Sequence, residues 1–582
     1  MPDQRTIETS RPSTVVTHVI KVNGTEIPQK FKAEVIIISK EVNRIPSAKI
    51  VFADGNSSEE KFEASNDSLF IPGNEVEILA GYQSDNQLLF KGIIIKHTVK
   101  IRSNNAVLMV ECRDKSIKLT KGRKNKYFTE DIKDSDVMEE IIGTYGLQKD
   151  VEATTVTHKE LIQFDSTDWD FIVNRADVNG KLCIADDGKM IIKKPDLGAA
   201  SVLSLVYGAT ILELDAEIDT RHQLKAVKIQ SWSSDDQALT ETDATDPAVS
   251  LYGNLTASQL ADVIGLDEFI LKHGGAVEEA ELQSWGNALW LKNQIAKVRG
   301  RVRFKGTHTV KPGTIIELSG VSDRFNGKCF VSAVQHTIGA GDWQTDAQLG
   351  MNPDWFSKEM DISTIPASGL LPAISGLQVG KVTQLESDPD GKNRIKVFLP
   401  IINGDEQGTW ARIATLDAGN ERGSFFLPEI DDEVIVGFIN DDPRDAVVLG
   451  MMNSSAKPAP LTAEDANNKK GFVTRSKMKM IFDDDKKSFS LETPAGKKFI
   501  VDEDAGLMKM EDENGNKFIM NSDGISIESC KEIKIKATTD IKTEGVNMEI
   551  KASASLKAEA SASAEIKSSG TMTVKGSLVQ IN

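Results

Sequence analysis

Residues 525–582 read ISIESCKEIKIKATTDIKTEGVNMEIKASASLKAEASASAEIKSSGTMTVKGSLVQIN and carry the clearest repeat of this chain. Apolar residues recur in it as pairs separated by one residue, roughly every eight positions. The first two pairs are Ile525/Ile527 and Ile533/Ile535. An i, i+2 spacing places both members of a pair on one face of a β-strand. The intervening Lys, Glu, Ser, Thr and Gly suit solvent and tight corners, so the pattern predicts a β-solenoid.

The apolar members of these pairs form the predicted needle core. They are Ile525, Ile527, Ile533, Ile535, Ile541, Met548, Ile550, Leu556, Ile566, Met572, Val574, Val579 and Ile581. Two inward residues per repeat bury too little apolar area to offset the entropy of ordering a single ribbon. Several copies winding around one axis would share the core and pair each other's strand edges. Small residues at Ala558 and Ala564 imply a narrow interior, so we expect a threefold intertwined needle.

Two alternatives to the solenoid stay open at this point. Residues 551–567, KASASLKAEASASAEIK, are rich in Ala, Lys and Glu, and their propensity favours a helix. The last aromatic residue is Phe518, and a scarcity of aromatic residues also marks disordered segments. A period of eight fits neither the 3.6 of a helix nor the 3.5 of a heptad, so we favour the solenoid.

A second repeat, with a period of 19, precedes the needle. MIFDDD at 480–485, FIVDED at 499–504 and FIMNSD at 518–523 are in register. Each unit joins an apolar strand to a polar, mostly acidic turn, and threefold agreement makes this a strong repeat. We interpret the acidic runs as solvated turns, with calcium binding as a weak alternative.

Residues 377–460 read as a small closed β-barrel, because short apolar runs alternate with Gly- and Asp-rich turns. Its six candidate strands are LQVGKVTQLE, RIKVFLPI, TWARIAT, GSFFLP, DEVIVGFIN and AVVLGMM. Pro and Gly mark a linker before it at 366–376.

Residues 1–365 read as two β-rich blocks with helices between them. The β-branched runs KFKAEVIIIS, SAKIVFA and NEVEILAGY are typical of the first block. Helices fit residues 135–146, with Ser135 or Asp136 as the cap, and 167–178, where Thr167 caps through Asp170. Residues 256–298 read as a helical excursion, and strands return at 299–350.

Composition excludes several classes of function. The 582 residues carry a formal net charge of −18, so a broad nucleic-acid or anionic-lipid surface is not expected. The N-terminus has no apolar core of a secretory signal, and no run is long enough for a membrane helix. The four cysteines and seven histidines are scattered, which predicts reduced thiols and neither a metal site nor a cofactor.

Residues 408–450 carry a family resemblance. The segments WARI, GNERGSFFLPE, DEVIVGF and DPRDAVVLG resemble the OB-fold of VgrG and related spike proteins of contractile injection systems. These systems include type VI secretion, extracellular phage-tail-like particles and the baseplates of contractile-tailed phages. The OB-fold motif residues are Trp410, Arg412, Gly419, Asn420, Arg422, Gly423, Phe425, Phe426, Pro428, Gly437, Pro443, Arg444 and Gly450.

The rest of the chain fits the same resemblance, with LLFKGII at 88–94 and DWDFIVNRADVNG at 168–180 matching the family's hub. The resemblance implies a mainly β protein with hub β-barrels and inserted helices, an OB-fold barrel and a C-terminal trimeric intertwined β-helix. The expected domains are a hub at 1–365, a linker at 366–376, an OB-fold collar at 377–460, a repeat leading into the needle at 461–524 and the needle at 525–582.

The resemblance also implies partners: two further copies of the chain, a hexameric inner tube, baseplate proteins and, on firing, a target cell envelope. A PAAR-type tip protein is expected to cover Val579, Gln580, Ile581 and Asn582. The chain would be made in the bacterial cytoplasm, assembled at the tip of the particle and delivered to the extracellular space or the target cell.

We expect no enzymatic activity and no catalytic residues. The roughly 30 residues between the barrel and the repeat are too few for a hydrolase domain, and the repeat runs to Ile581, leaving no room for a toxin domain. Asp168 and Asp170 are interpreted as capping residues. A trimeric tail fibre or adhesin without a puncturing role is the alternative function.

Overall fold

A computed structural model describes residues 15–103, 105–402 and 408–581. The first 14 residues of the expected hub, and Asn582 of the expected tip contact, lie outside the described residues. The structure is mainly β and divides into two units. The first contains residues up to 374 together with 440–442, and the second contains residues 375–439 and 443 onward.

The described residues of the first unit form 21 strands. They are β1 Val16–Val22, β2 Thr25–Glu26, β3 Ala33–Glu41, β4 Ser47–Ala53, β5 Glu75–Tyr82, β6 Asp85–Ile101, β7 Ala106–Arg113, β8 Lys124–Lys133, β9 Gln148–Val151, β10 Thr157–Ser166, β11 Leu182–Asp186, β12 Lys189–Lys193, β13 Leu203–Val206, β14 Ile211–Ile218, β15 Val227–Ser233, β16 Ala238–Asp243, β17 Phe269–His273, β18 Val298–Lys305, β19 Ile315–Ser319, β20 Gly327–Gly339 and β21 Asp342–Leu349.

Six α-helices belong to the same unit. They are α1 Glu63–Asn66, α2 Asp134–Thr144, α3 Asp168–Val178, α4 Ala257–Ile264, α5 Glu279–Ile295 and α6 Phe356–Glu359. Short 3₁₀ helices lie at Ser68–Phe70, Lys115–Thr120, Pro366–Gly369 and Ile439–Asp441.

A 13-stranded sheet organises the first unit, in the order β14-β18-β21-β20-β3-β4-β7-β6-β5-β1-β2, with β13 and β19 attached through β20. The two predicted β-blocks are therefore joined by backbone pairing, because β20 pairs antiparallel with β3 from Ala333↔Glu41 to Gly339↔Val35. Each block keeps its own hydrophobic core on this sheet, one around Ile38 and Phe52 and the other around Phe304 and Phe330.

Strand β3 illustrates why these runs form strands. In AEVIIISKE the side chains of Ile36 and Ile38 are buried, while Val35 and Ile37, which alternate with them, are half-buried. This alternation matches the two-residue period of a pleated strand with one face on a core.

The predicted helices are present with one correction at a cap. Asp170 N donates to Thr167 Oγ1 at 3.1 Å, which confirms the predicted cap of α3. Helix α2 instead begins after Lys133, which provides no side-chain cap, so the prediction of Ser135 or Asp136 was wrong. Both residues lie inside the first turn. The excursion at 256–298 contains α4 and α5 but also strand β17.

The second unit contains the remaining 14 strands. They are β22 Gln378–Gln384, β23 Ile395–Phe398, β24 Gly408–Ile413, β25 Ala418–Gly419, β26 Arg422–Gly423, β27 Glu433–Phe438, β28 Ala446–Met451, β29 Lys469–Val473, β30 Lys479–Asp483, β31 Ser488–Glu492, β32 Lys498–Asp502, β33 Leu507–Glu511, β34 Lys517–Asn521 and β35 Gly524–Glu528.

A closed five-stranded barrel, β22-β23-β24-β28-β27, confirms the predicted small barrel. Alternate residues such as Val382, Val397, Ala411 and Val436 fill its interior. One of the six candidate strands, GSFFLP, is not part of the barrel. Only its first residue is paired, in the separate two-stranded ribbon of β25 and β26.

Candidate functional site

The seven strands β29–β35 form an antiparallel sheet of five-residue strands, in sequence order. Strands β30, β32 and β34 begin at Lys479, Lys498 and Lys517, so each 19-residue unit contributes two strands. The sequence repeat identified only the first strand of each unit. The second strands, SFSLE and LMKME, carry the same alternation of apolar residues without the FI motif.

One face of this sheet is almost entirely apolar. The register aligns one residue from each strand into a row across the sheet, and a second row lies two residues away on the same face. We call these thirteen side chains the apolar face: Phe472, Met480, Leu491, Phe499, Met510, Phe518 and Ile527 in the first row, and Phe482, Phe489, Val501, Met508, Met520 and Ile525 in the second. Lys470 occupies the remaining position of the second row, opposite Phe482.

The chain itself does not bury this apolar face. Throughout strands β29–β35 every residue is half-buried or exposed, and Met510 and Ile527 are 53% and 56% exposed. A sheet gains stability in water by packing one face against another layer. A contiguous apolar surface of this size marks an interaction site.

Along one edge of the sheet, the opposite face consists of charged residues, as expected for a surface in contact with solvent. Its edge row alternates lysine and glutamate, as Lys479, Glu492, Lys498, Glu511, Lys517 and Glu528. The Lys479–Glu492 pair is 3.8 Å apart, and the hydrogen bond from Lys509 lowers the pKa of Glu511. Exposed ion pairs contribute little to stability. The Lys/Glu row is therefore informative mainly because it shows which face of the sheet points to solvent. The centre row places Ile481, Ile500 and Ile519 between polar residues.

The tail that follows β35 begins beside the turn before β34, where Cys530 N donates to Asn516 Oδ1 at 3.2 Å. Residues 530–581 are all exposed and contain neither helix nor strand, so the helix considered for 551–567 is not formed. Ile535, Ile566 and Ile581 are 73%, 83% and 91% exposed.

The structure divides the predicted needle core between two places. Ile525 and Ile527 lie in β35, within the apolar face. The other eleven lie in the exposed tail: Ile533, Ile535, Ile541, Met548, Ile550, Leu556, Ile566, Met572, Val574, Val579 and Ile581. The expected tip-contact residues Val579, Gln580 and Ile581 are exposed at its end.

The OB-fold motif residues fall into two groups. Trp410, Arg412, Gly437 and Gly450 lie on barrel strands, with Pro443 and Arg444 in the turn before β28. The remaining residues, Gly419, Asn420, Arg422, Gly423, Phe425, Phe426 and Pro428, lie between β24 and β27, in and after the β25–β26 ribbon. There the Phe426 ring stacks on Phe472, with centroids 5.2 Å apart and planes at 14°. This contact connects the barrel motif to the apolar face.

Asp168, interpreted above as a capping residue, lies in a polar cluster of the first unit. Asp168 accepts hydrogen bonds from Lys124 and Tyr145, both at 2.6 Å. Although burial opposes its ionisation, these bonds lower the pKa of Asp168. The cysteines are free thiols, as predicted, and burial raises the pKa of Cys112 to about 12. Among the described residues no group of three or more His, Cys, Asp or Glu is placed to hold a metal ion. Within the same ranges, no helix is both long and apolar enough to span a membrane.

A family model described as the Alg8 N-terminal domain matches residues 12–340, more than half of the chain. The chain belongs to this family. A second model, the type VI secretion system/phage-baseplate injector OB domain, matches residues 378–452 of this Alg8-family protein. The OB-domain match and the curated VgrG relatives support a resemblance to VgrG-family spike proteins.

Curated relatives share short stretches with this chain. The actin cross-linking toxin VgrG1 of Vibrio cholerae is 29% identical over 133 residues, covering 22% of this chain and 12% of the relative. The type VI secretion system spike protein VgrG1a of Pseudomonas aeruginosa is 24% identical over 212 residues, covering 34% of this chain and 33% of the relative. The chain thus spans a third or less of the length of these relatives.

Among solved structures, a component of the E. coli type VI secretion system aligns with this chain. The alignment covers 74% of this chain and 99% of the E. coli chain. The identity is 11% and the TM-score 0.38.

Proposed function

We propose that this chain forms the trimeric central spike of a contractile injection system. The first unit is the hub, the barrel is the collar, and the sheet β29–β35 with the tail is the needle. The observation that carries the proposal is the apolar face, whose thirteen side chains are not buried by their own chain. In the proposed trimer, this face packs against the apolar faces of two further copies.

Burial of this face supplies the driving force for assembly. Transferring a half-exposed Phe, Met or Ile from water yields on the order of 1 kcal/mol. Thirteen such side chains give on the order of 10 kcal/mol per copy before the entropy of association is subtracted. The opposite face stays outside, because covering the Lys/Glu row would remove charges from water.

The tail favours three copies over two. Two sheets could cover each other's apolar faces as a sandwich, but the tail contributes only one inward pair per eight residues. Three chains around one axis would bring three such pairs together at each level, and Ala558 and Ala564 suit the limited space there. A cyclic trimer closes its own interfaces.

The proposed role is mechanical and not enzymatic. A narrow rod of this kind supplies stiffness and a small cross-section for puncturing an envelope, while force would come from contraction of an outer sheath. The name of the Pseudomonas relative describes a spike protein, which supports a structural role. The toxin activity in the name of the Vibrio relative belongs to a protein of which this chain covers only 12%.

Partners follow from the same arrangement. Two β cores per hub give six around a threefold axis, which would match a hexameric inner tube. Baseplate proteins would surround the hub, and a PAAR-type tip protein would cover Val579–Asn582. We propose assembly in the bacterial cytoplasm at the tip of the particle and delivery across the target envelope on firing.

Neighbouring residues on opposite faces of β32 provide the test. Phe499 lies in the apolar face, and Ile500 next to it is equally half-buried but points to the other side. By multi-angle light scattering, the full chain should have three times the mass of one copy. Phe499→Asp should be monomeric because three carboxylates would meet at the core, whereas Ile500→Asp should remain trimeric. A wild-type mass of one or two copies, or a trimeric Phe499→Asp, contradicts the proposal.

A further inference from the structure

The barrel domain carries a short arm that is not one of the five strands of the barrel. We define the arm as residues 414–427, between β24 and the loop before β27. Ala418 pairs with Gly423 and Gly419 with Arg422, and Ser424 N donates to Asp417 O at 2.9 Å. Continuing this register outward beyond Asp417 and Ser424 assigns Leu416 and Phe425 to opposite positions.

These two side chains are unusually exposed. Leu416 is 93% exposed and Phe425 is 83% exposed, higher than the 57% of Phe426 next to it. A two-stranded ribbon is only marginally stable in water without a packing partner. An exposed leucine and phenylalanine placed side by side therefore indicate a contact that the single chain lacks.

The arm is nevertheless held in a defined conformation. Arg422 bonds Asp417 at 2.8 Å across the ribbon. Gly423 has a φ of +132°, and a Cβ there would lie 2.3 Å from the carbonyl oxygen of Asp417. This conformation thus requires glycine at position 423, since a side chain would be strained and would clash with the backbone.

The base of the arm is anchored at the start of the apolar face. Phe426 stacks on Phe472, the first residue of the first row, at 5.2 Å. Just beyond the arm, Glu429 pairs with Arg475 at 2.7 Å, immediately after β29. The arm that carries Leu416 and Phe425 therefore borders the start of the apolar face through Phe426.

We propose that the arm is an intersubunit clasp, in which Leu416 and Phe425 pack against a second copy of this chain. The inference rests on the proposed trimer, and it assigns the barrel, and not the needle alone, a direct role in joining the copies. A second copy is the partner because the arm is continuous with the surface on which copies meet. Around a threefold axis, the start of each apolar face adjoins the same region of its neighbour.

Photo-crosslinking of the purified full chain tests the clasp separately from the trimer. Phe425 is replaced by p-benzoylphenylalanine, which preserves an aromatic ring, and Val379, 48% exposed on barrel strand β22, receives the same replacement as a control. Light scattering is measured on each sample before irradiation. We expect a trimer in both, with covalent dimers and trimers from position 425 at least fivefold more abundant than from position 379.

The outcomes separate the two proposals. A trimer that crosslinks from position 425 only within its own chain, or no better than from 379, overturns the clasp and leaves the spike intact. A monomeric wild-type chain overturns the spike and the clasp with it. As a second measurement, Leu416→Ser/Phe425→Ser should dissociate on dilution about tenfold faster than wild type, whereas Val379→Ser should not. Equal dissociation rates for all three proteins also contradict the clasp.

Discussion

Lys292 Nζ donates to both carboxylate oxygens of Asp177, at 2.7 and 2.9 Å, and both side chains are almost completely buried. The pair joins α5 to α3 within the hub. Lys292 also donates to the carbonyl of Asp354 at 2.7 Å, and Asp177 accepts from the backbone N–H of Phe356 at 2.9 Å. Two helices and the segment at α6 are thus fixed around one buried charge pair.

Removing one partner of this pair should destabilise the hub strongly. Asp177→Ala leaves the Lys292 ammonium buried without a counter-ion, which costs about 3–5 kcal/mol. The measurement is urea unfolding of the full chain followed by tryptophan fluorescence, since Trp355 lies 5.0 Å from Lys292. The double variant Asp177→Leu/Lys292→Met should lose less free energy of unfolding than Asp177→Ala, because it removes both charges. Equal losses would contradict the assignment of the cost to an unpaired charge.

Hub stability should fall in mild acid through His336. Burial lowers the pKa of this side chain to about 3, and its Nδ1 lies 2.9 Å from Thr345 Oγ1 and 3.4 Å from Trp343 Nε1. The unfolded chain takes up a proton near pH 6.5 and the folded hub does not, so stability is complete above that pH and declines as the pH falls toward 3.

The slope from this one group is about 1.4 kcal/mol per pH unit between those limits. His336→Gln should lower the free energy of unfolding at pH 7. Between pH 6 and 4 it should also reduce the dependence of that free energy on pH by the contribution of about one proton, measured by urea unfolding across that range. The exposed His273, whose ring nitrogen Nδ1 contacts Gly275 in its own turn, provides the control as His273→Gln. An unchanged slope in His336→Gln would show that other groups cause the acid sensitivity.

In the tail, the predicted inward positions should tolerate charge far less than their neighbours. Ile535→Asp or Ile566→Asp would place three carboxylates on the needle axis, where an unpaired charge is costly. We expect limited proteolysis to cleave the region after residue 530 at least tenfold faster in these variants than in wild type. Lys536→Asp and Lys567→Asp are the matched outward controls and should stay resistant. Equal cleavage of both sets would mean that the inward register is wrong.

Gly423→Ala should loosen the arm and leave the barrel folded. The new Cβ meets the carbonyl oxygen of Asp417, and the strained conformation costs about 1–3 kcal/mol locally. Crosslinking from p-benzoylphenylalanine at position 425 should drop several-fold, while the far-UV circular dichroism remains that of wild type. Gly391→Ala, at a barrel turn with open space around it, is the control. Full crosslinking in Gly423→Ala would show that the arm does not depend on its turn.

Local patterns predicted elements well where a core imposes a period of two. Strand β3 and barrel strand β27 both alternate buried and half-buried residues, as their sequences indicate. The GSFFLP run has the same apolar character but lies in the arm, because its rings point away from the barrel core. Composition alone could not distinguish a strand that fills a barrel from an arm that presents rings to a partner.

Long-range pairing was beyond the sequence. The contact of β20 with β3 joins Ala333 to Glu41, and no local signal in either strand specifies that partner. Likewise, the 19-residue repeat revealed β30, β32 and β34 but not the strands between them. Leu491 and Met510 become members of one apolar row only when each strand folds back on the previous one.

Strand periodicity and turn chemistry are local properties, so the sequence alone revealed the repeat periods, the barrel segment and the apolar residues. The tertiary structure added that the two N-terminal β-blocks share one sheet, that each repeat unit contains two strands, and that thirteen side chains form one apolar face. Those features depend on which strands pair across the chain, and hydrogen bonding between distant strands is specified by the packing of the whole fold.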